Sequence, residues 1–180
     1  MLEVVDENDN VVGLETRIKI HQVGLLHREV HIWFFTPKGE IIFQHRAKDK
    51  DTYPDKLDAT VGGHVEPKTS YVETAARECK EETGIDIVLS KLIFLRKIRK
   101  KSFDEATGLI NNTIRNHYAY LYEGSIADLE VEEGKAEGFE AWKVDDILRL
   151  SETDKKKFIT FIFSRDMLDM LNNAREVLLK

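Results

Sequence analysis

The sequence predicts one domain in which strands and a few helices layer around a single sheet, as an α/β or an α+β fold. Three observations carry that expectation. The chain has 180 residues, within the roughly 100 to 200 of one domain and enough to bury a core. Segments with strand and helix periodicity follow one another without strict alternation. No repeat, low-complexity tract or long Pro/Gly/Ser linker divides them.

The elements read as follows. Leu2 to Val5 and Val11 to Glu15 flank "DENDN", whose Asp and Asn residues suit a turn, so a small hairpin is expected over about residues 1–20. A calcium loop would need Gly where Val11 stands. "VHIWFFT" and "EIIFQHR", joined by "PKG", form a second hairpin. "KLDATVGGHV" is a strand running into a Gly-Gly turn, in which Gly62 and Gly63 bring backbone close to a ligand. A helix follows, capped by Thr69 or by Ser70 with Glu73 at capping-box spacing, and stopped by Gly84. "IDIVLSKLIFLRKI", "TIRNHYAYLYEG" and "GFEAWKV" are strands, and "VDDILRL" is helical. A C-terminal helix is expected over about 154–179, with Phe158, Phe161, Ile162, Leu168, Leu171 and Leu178 on its packing face.

Composition sets the class. With 42% hydrophobic and 33% charged residues and a net charge of -6, no broad attraction to nucleic acid is expected. The start lacks a secretory signal, and no run approaches the roughly 20 apolar residues of a membrane span, so a cytoplasmic protein without membrane contact is expected. Cys79 is the one cysteine, which excludes an internal disulfide and a cysteine-based zinc site.

Within "VGGHVEPKTSYVETAARECKEETGI" the helix places Val72, Ala75, Ala76 and Cys79 on one stripe and gathers Glu78, Glu81 and Glu82 on an adjacent face within one turn. Like-charged pairs at these spacings cost a few tenths of a kcal/mol each, and Arg77, four before Glu81, offsets only part. A solvated charged face is the ordinary explanation. A hard divalent cation between the carboxylates is the other, because oxygen ligands become favourable around Mg²⁺ or Mn²⁺.

The stretch resembles the signature box of the Nudix superfamily, G-x5-E-x7-R-E-U-x-E-E-x-G-U with U aliphatic, over residues 63–85. Gly63, Arg77, Glu78, Glu81, Glu82, Gly84 and Ile85 match it, with Cys79 in an aliphatic slot. Thr69 stands where the first Glu is usual and Lys68 where Gly is usual, and Glu66 is a nearby substitute. The resemblance implies an α/β/α sandwich with a central mixed sheet. It also implies Mg²⁺ or Mn²⁺ bound at Glu78, Glu81 and Glu82, with Glu78 and Glu81 catalytic and Arg77 their positioner. The implied reaction is attack of water on the diphosphate of a small molecule such as a nucleoside diphosphate derivative. A homodimer would fit the family, in which dimers are common.

Residues 1–95 further resemble the branch containing type I isopentenyl diphosphate isomerase and its hydrolase relatives. That branch implies a second metal near His21, His27 and His64, although each histidine, like His31, also suits a structural hydrogen bond. The isomerases use a Cys just before "GH" and a Glu on a later strand. Here Gly62 holds the first place and "TIRNHYAYLY" contains no Glu, which argues against isomerisation. A non-catalytic nucleotide sensor is a third reading, prompted by Thr69.

Other candidates are Arg46, followed by Lys48 and Lys50, for phosphate oxygens, and Gly62, Gly63 and His64 for the ligand. Tyr118, Tyr120 and Tyr122 share a strand face and suit core filling more than base stacking. Among Glu132, Glu133 and Glu137 before "FEAW", Glu137 is chosen as a further catalytic acid, the family placing one there. Trp33 and Trp142 read as core.

Overall fold

Strand β3 (His27–Phe35) is buried along nearly its whole length, so every other element is placed by how it covers this strand. The computed structural model describes residues 1–50, 53–105 and 107–180. On one edge β3 pairs in parallel with β8 (Ile110–Leu121), which pairs antiparallel with β7 (Ile93–Phe103). On the other edge the pairing forks. Residues 29–32 pair with β6 (Val61–His64), whereas Phe34 and Phe35 pair with β4 (Glu40–Arg46). β4 in turn carries β5 (Leu57–Asp58) and β9 (Ala136–Lys143), completing a mixed seven-stranded sheet.

At the fork a side chain takes over the backbone pairing. Thr60 Oγ1 accepts from Phe34 N at 2.8 Å and donates to Ile42 O, so both of these main-chain groups are satisfied where β4 and β6 part.

Alternation along β3 builds two cores. Val30, Ile32 and Phe34 join Val61, Ala75, Cys79, Tyr118, Tyr120 and Tyr122 beneath helix α2 (Tyr71–Thr83). The three tyrosines are therefore core residues, as expected. Trp33 and Phe35 join Phe43, Ile162, Met167 and Leu171 beneath the C-terminal segment, with Trp142 packed at the margin. The second face changes character along β3. Apolar at Trp33 and Phe35, it becomes polar at His31, Glu29 and His27, and β8 matches it with His117, Arg115 and Thr113 in register.

Four expectations are corrected. The N-terminal hairpin, β1 (Leu2–Val5) with β2 (Val11–Glu15), ends early and is followed by helix α1 (Arg17–Val23). Thr16 caps α1 and Gly24, at φ 71°, ends it. The Gly62-Gly63 pair lies inside β6, opposite His31 and Val30, and is not a turn. Of "IDIVLSKLIFLRKI", Leu89–Lys91 form a 3₁₀ turn and the strand begins at Ile93.

The helix expected over 154–179 is broken. After α3 (Val144–Leu148) and the short α4 (Glu152–Lys155), the chain runs extended beside β5. There Leu57 N donates to Lys157 O at 2.7 Å and Ile159 N to Leu57 O at 3.0 Å. Phe158 is thereby seated against Phe43 and Trp142. A 3₁₀ turn over Thr160–Phe163 leads into α5 (Arg165–Leu178). Helices on both faces of a mixed sheet make the α/β/α sandwich that was expected. No helix among the described residues is long and apolar enough to cross a membrane.

Candidate active site

Helix α2 begins at the predicted capping box: Glu73 N donates to Ser70 Oγ at 3.2 Å and Ser70 N to Glu73 Oε2 at 2.8 Å. Gly84, at φ 73°, ends it. The helix turns Thr74, Ala75, Glu78, Cys79, Glu82 and Thr83 inward, whereas Val72 is 39% exposed. The three glutamates accordingly separate. Glu78 and Glu82 converge on the buried side, and Glu81 remains exposed one turn away.

Gly63 makes room for this convergence, because a Cβ there would overlap the Glu78 carboxyl. Glu82, 2% exposed, accepts from Gln44 Nε2 at 2.9 Å and from Gly62 N at 3.3 Å. Burial raises the pKa of both acids, carrying Glu82 to about 7; nearby Lys135, and for Glu78 also Arg77, opposes the rise. Arg77 donates to Glu78 Oε1 and to Glu81 Oε2, each at 2.7 Å, with Glu66 Oε1 at 3.8 Å. It therefore links the inner carboxylate to the outer one.

Thr69 does not reach the glutamates. Its hydroxyl donates to Glu66 O at 2.8 Å. Lys68 adopts the left-handed φ of 66° that Gly takes freely, and its N–H is held by Glu3 Oε1 at 2.9 Å. The loop conformation is thus kept without the usual glycine.

Across β6 lies a second polar group. Side chains alternate along the strand: a Cβ on Gly63 would point at Glu78, and one on Gly62 would lie 3.3 Å from His31 Cδ2. Beyond Gly62, the Nε2 atoms of His21 and His64 are 3.2 Å apart, and with His27 they offer ligand atoms all within 4.8 Å of one another. His27 Nδ1 lies 3.0 Å from Leu25 O, which can only accept, so Nδ1 carries the proton. Its Nε2 is then a buried lone pair with no hydrogen-bond partner among the described residues. Burial lowers the pKa of all three histidines, that of His64 to about 3, which keeps them neutral.

Glu29 sits beneath them, its Oε1 3.4 Å from His64 Nε2. Arg115 grips its other oxygen through Nε at 3.0 Å and through Nη2. Burial pushes the Glu29 pKa up, but the Arg115 guanidinium outweighs it and holds the acid well below the usual carboxylate range. His117 Nδ1 accepts from Trp33 Nε1 at 3.2 Å, fixing its proton on Nε2.

One cavity of about 960 Å³, lined by residues of both β4 and β6, joins both groups. Gly62, Gly63, His64, Arg77, Glu78 and Glu82 line it, as does Arg46, whose guanidinium binds Asp58 Oδ2 at 3.4 Å. Lys50 also lines it, but Lys48 does not. Two candidates lie apart: Glu81 and Glu137 are exposed and outside the lining, Glu81 joined to the site through Arg77.

Sequence reasoning missed Glu29, Arg115, Lys135 and Phe161. For the first two a signal existed, since His27, Glu29 and His31 fall at every second position of one strand and Thr113, Arg115 and His117 at every second position of another. Lys135, from the loop before β9, places its ammonium 3.3 Å from Glu82 and 3.7 Å from Glu78. Phe161 packs against His31 and His117 under Lys100 and Arg115.

The donor sets fit the metals that the sequence suggests. Two buried carboxylates beside a glycine cradle suit a hard divalent cation, and a trio of neutral imidazoles with an orphaned Nε2 suits a borderline one.

The NUDIX domain family model matches residues 25–162. An uncharacterized Nudix hydrolase of Yersinia pestis is 40% identical over 84 residues, which cover 47% of this chain and 46% of that protein. The match thus spans about half the length of that relative. A Serratia proteamaculans protein named isopentenyl-diphosphate Delta-isomerase is 27% identical over 178 residues, 98% of this chain and 94% of its own. A solved Deinococcus radiodurans structure superposes with a TM-score of 0.66 at 21% identity, covering 96% of this chain and 98% of that one, a likeness of fold.

Proposed function

Since the chain belongs to the Nudix hydrolase family, we propose that it hydrolyses the diphosphate linkage of a small molecule, a nucleoside diphosphate derivative or a similar compound, with Mg²⁺ or Mn²⁺ held by Glu78 and Glu82. The observation that carries this reading is the convergence of those two buried carboxylates on the cavity wall. When bound, the divalent ion neutralises charge on phosphate oxygens and lowers the pKa of the attacking water.

The chain's own groups supply the rest. Arg77 holds Glu78 and Glu81 in fixed relation, and Glu81, whose Oε1 that pairing leaves unused, is the acid assigned to take the proton from water. Lys50 and Lys100, neither in an ion pair among the described residues, present their ammonium groups to the cavity for the phosphates. Arg46 adds a planar fork to that wall, steadied by Asp58.

The test is a panel of nucleotides, nucleotide sugars, dinucleoside polyphosphates and isoprenoid diphosphates with Mg²⁺ and with EDTA. Metal-dependent release of phosphate or nucleoside monophosphate supports the reading. Binding without turnover for any member favours a sensor instead.

A second reading, isomerisation of isopentenyl diphosphate, is favoured by the histidine trio beside Glu29 and by the isomerase-named relative. Against it, position 62 offers no thiol, and a Cβ there would lie 3.3 Å from His31 Cδ2, so the ring would have to give way slightly. Conversion of isopentenyl to dimethylallyl diphosphate, followed by NMR, decides between the two.

A further inference from the structure

The buried Glu82 carboxylate has one cationic partner among the described residues, Lys135, at 3.3 Å. Arg77 is committed to Glu78, Glu81 and Glu66. The same ammonium lies 3.7 Å from Glu78 and 2.8 Å from Glu132. It thus occupies the space between the two acids to which a divalent cation was assigned above.

The loop that delivers it is tied down. Lys135 N donates to Glu132 O at 3.0 Å, Lys135 O accepts from Ala47 N at 3.1 Å, and Gly134 takes the left-handed φ of 72° that closes the turn. The backbone is fixed to the end of β4, so only the side chain has freedom to leave. Glu132 gives the ammonium a second carboxylate on its own turn.

We infer that Lys135 is an internal competitor for the divalent cation at Glu78 and Glu82, so that metal enters by exchange with its ammonium, which withdraws onto Glu132. This rests on the glutamate centre proposed above and sets that centre's metal affinity. Two positive groups cannot share the same pair of carboxylates at these distances without repulsion. A charge-free side chain at position 135 therefore leaves the acids open to metal, whereas Arg at 135 retains the competition.

The test compares Mn²⁺ binding, by the EPR signal of free Mn²⁺ at about pH 8, in the wild-type chain, Lys135→Met and Lys135→Arg. The expected result is a dissociation constant lowered on the order of tenfold in Lys135→Met, equal to about 1.4 kcal/mol, and close to wild type in Lys135→Arg. Equal or weaker binding by Lys135→Met overturns the inference. A wild-type measurement covers a variant that fails to fold. In ¹⁵N-lysine-labelled chain, saturating Mg²⁺ should shift the Lys135 ammonium resonance, and an unmoved resonance likewise overturns the inference. Either overturning result leaves the glutamate centre standing if Mn²⁺ still binds and Glu82→Gln abolishes binding. Absence of Mn²⁺ binding from all three chains overturns both.

Discussion

Gly63 and Glu78 share one space: a Cβ on Gly63 would overlap the Glu78 carboxyl, so the missing side chain of one is the room occupied by the other. Gly63→Ala therefore displaces Glu78 from the cavity wall while leaving β6 intact, because the backbone there is ordinary strand that alanine adopts. We expect turnover to fall about 100-fold or more, with a stability loss of about 1 to 3 kcal/mol from overpacking. Steady-state rates and urea unfolding check this. Wild-type turnover in Gly63→Ala would show that the position of Glu78 is immaterial.

Glu82 makes metal-free stability depend on pH. Burial carries its folded pKa to about 7 from the ordinary 4.5, so the folded chain binds the proton more readily than the unfolded one. The resulting stabilisation is complete below the unfolded value and is lost as pH rises through about 7, amounting to roughly 3 kcal/mol. Urea midpoints in EDTA at about pH 5 and pH 8 should show the wild-type chain losing stability relative to Glu82→Gln. Parallel pH curves for the two chains would contradict this.

Outer and inner glutamates should respond differently to the same chemistry. Glu81→Gln and Glu82→Gln are both expected to lose most activity, since the proposed reaction assigns the proton to one and the cation to the other. Of these two, only Glu82→Gln should gain metal-free stability at about pH 8, because Glu82 is ionised against burial and Glu81 is exposed. Calorimetry of both variants in EDTA, beside their rates, checks the pair. Full activity in both would remove the glutamates from the chemistry.

The Glu29 and Arg115 pair is buried. Arg115→Met leaves Glu29 charged and unpaired and should cost about 3 to 5 kcal/mol, much of it recovered when Glu29→Gln is added. A double-mutant cycle by urea unfolding measures the coupling. Additive losses would mean the two residues act independently.

The box was legible because its signals are local: Ser70 with Glu73, Gly84, and the register of Arg77, Glu78, Glu81 and Glu82 lie within fifteen residues. The inward rotation of α2 was not, because Thr74 and Thr83 bury as well as alanine does and only tertiary packing decides the face. α1 escaped notice because Ile18 and Ile20 alternate as in a strand, and Ile20 is its one buried residue. The break at Phe158 escaped because aromatic spacing over 158–162 suits a helix, while pairing with Leu57, a hundred residues earlier, prefers extended chain. Lys135 reaches α2 from a distant loop, a meeting that no periodicity records. Glu137 illustrates the converse: a position taken from family spacing alone is exposed here, away from the cavity.

The most direct measurement is anomalous diffraction at the manganese edge from crystals equilibrated with Mn²⁺. An anomalous peak bound by the Glu78 and Glu82 carboxylates, absent from Glu82→Gln crystals grown alike, is the predicted result. Manganese at the histidine trio alone, with Glu78 and Glu82 still bound to Lys135 at saturating metal, would contradict the account.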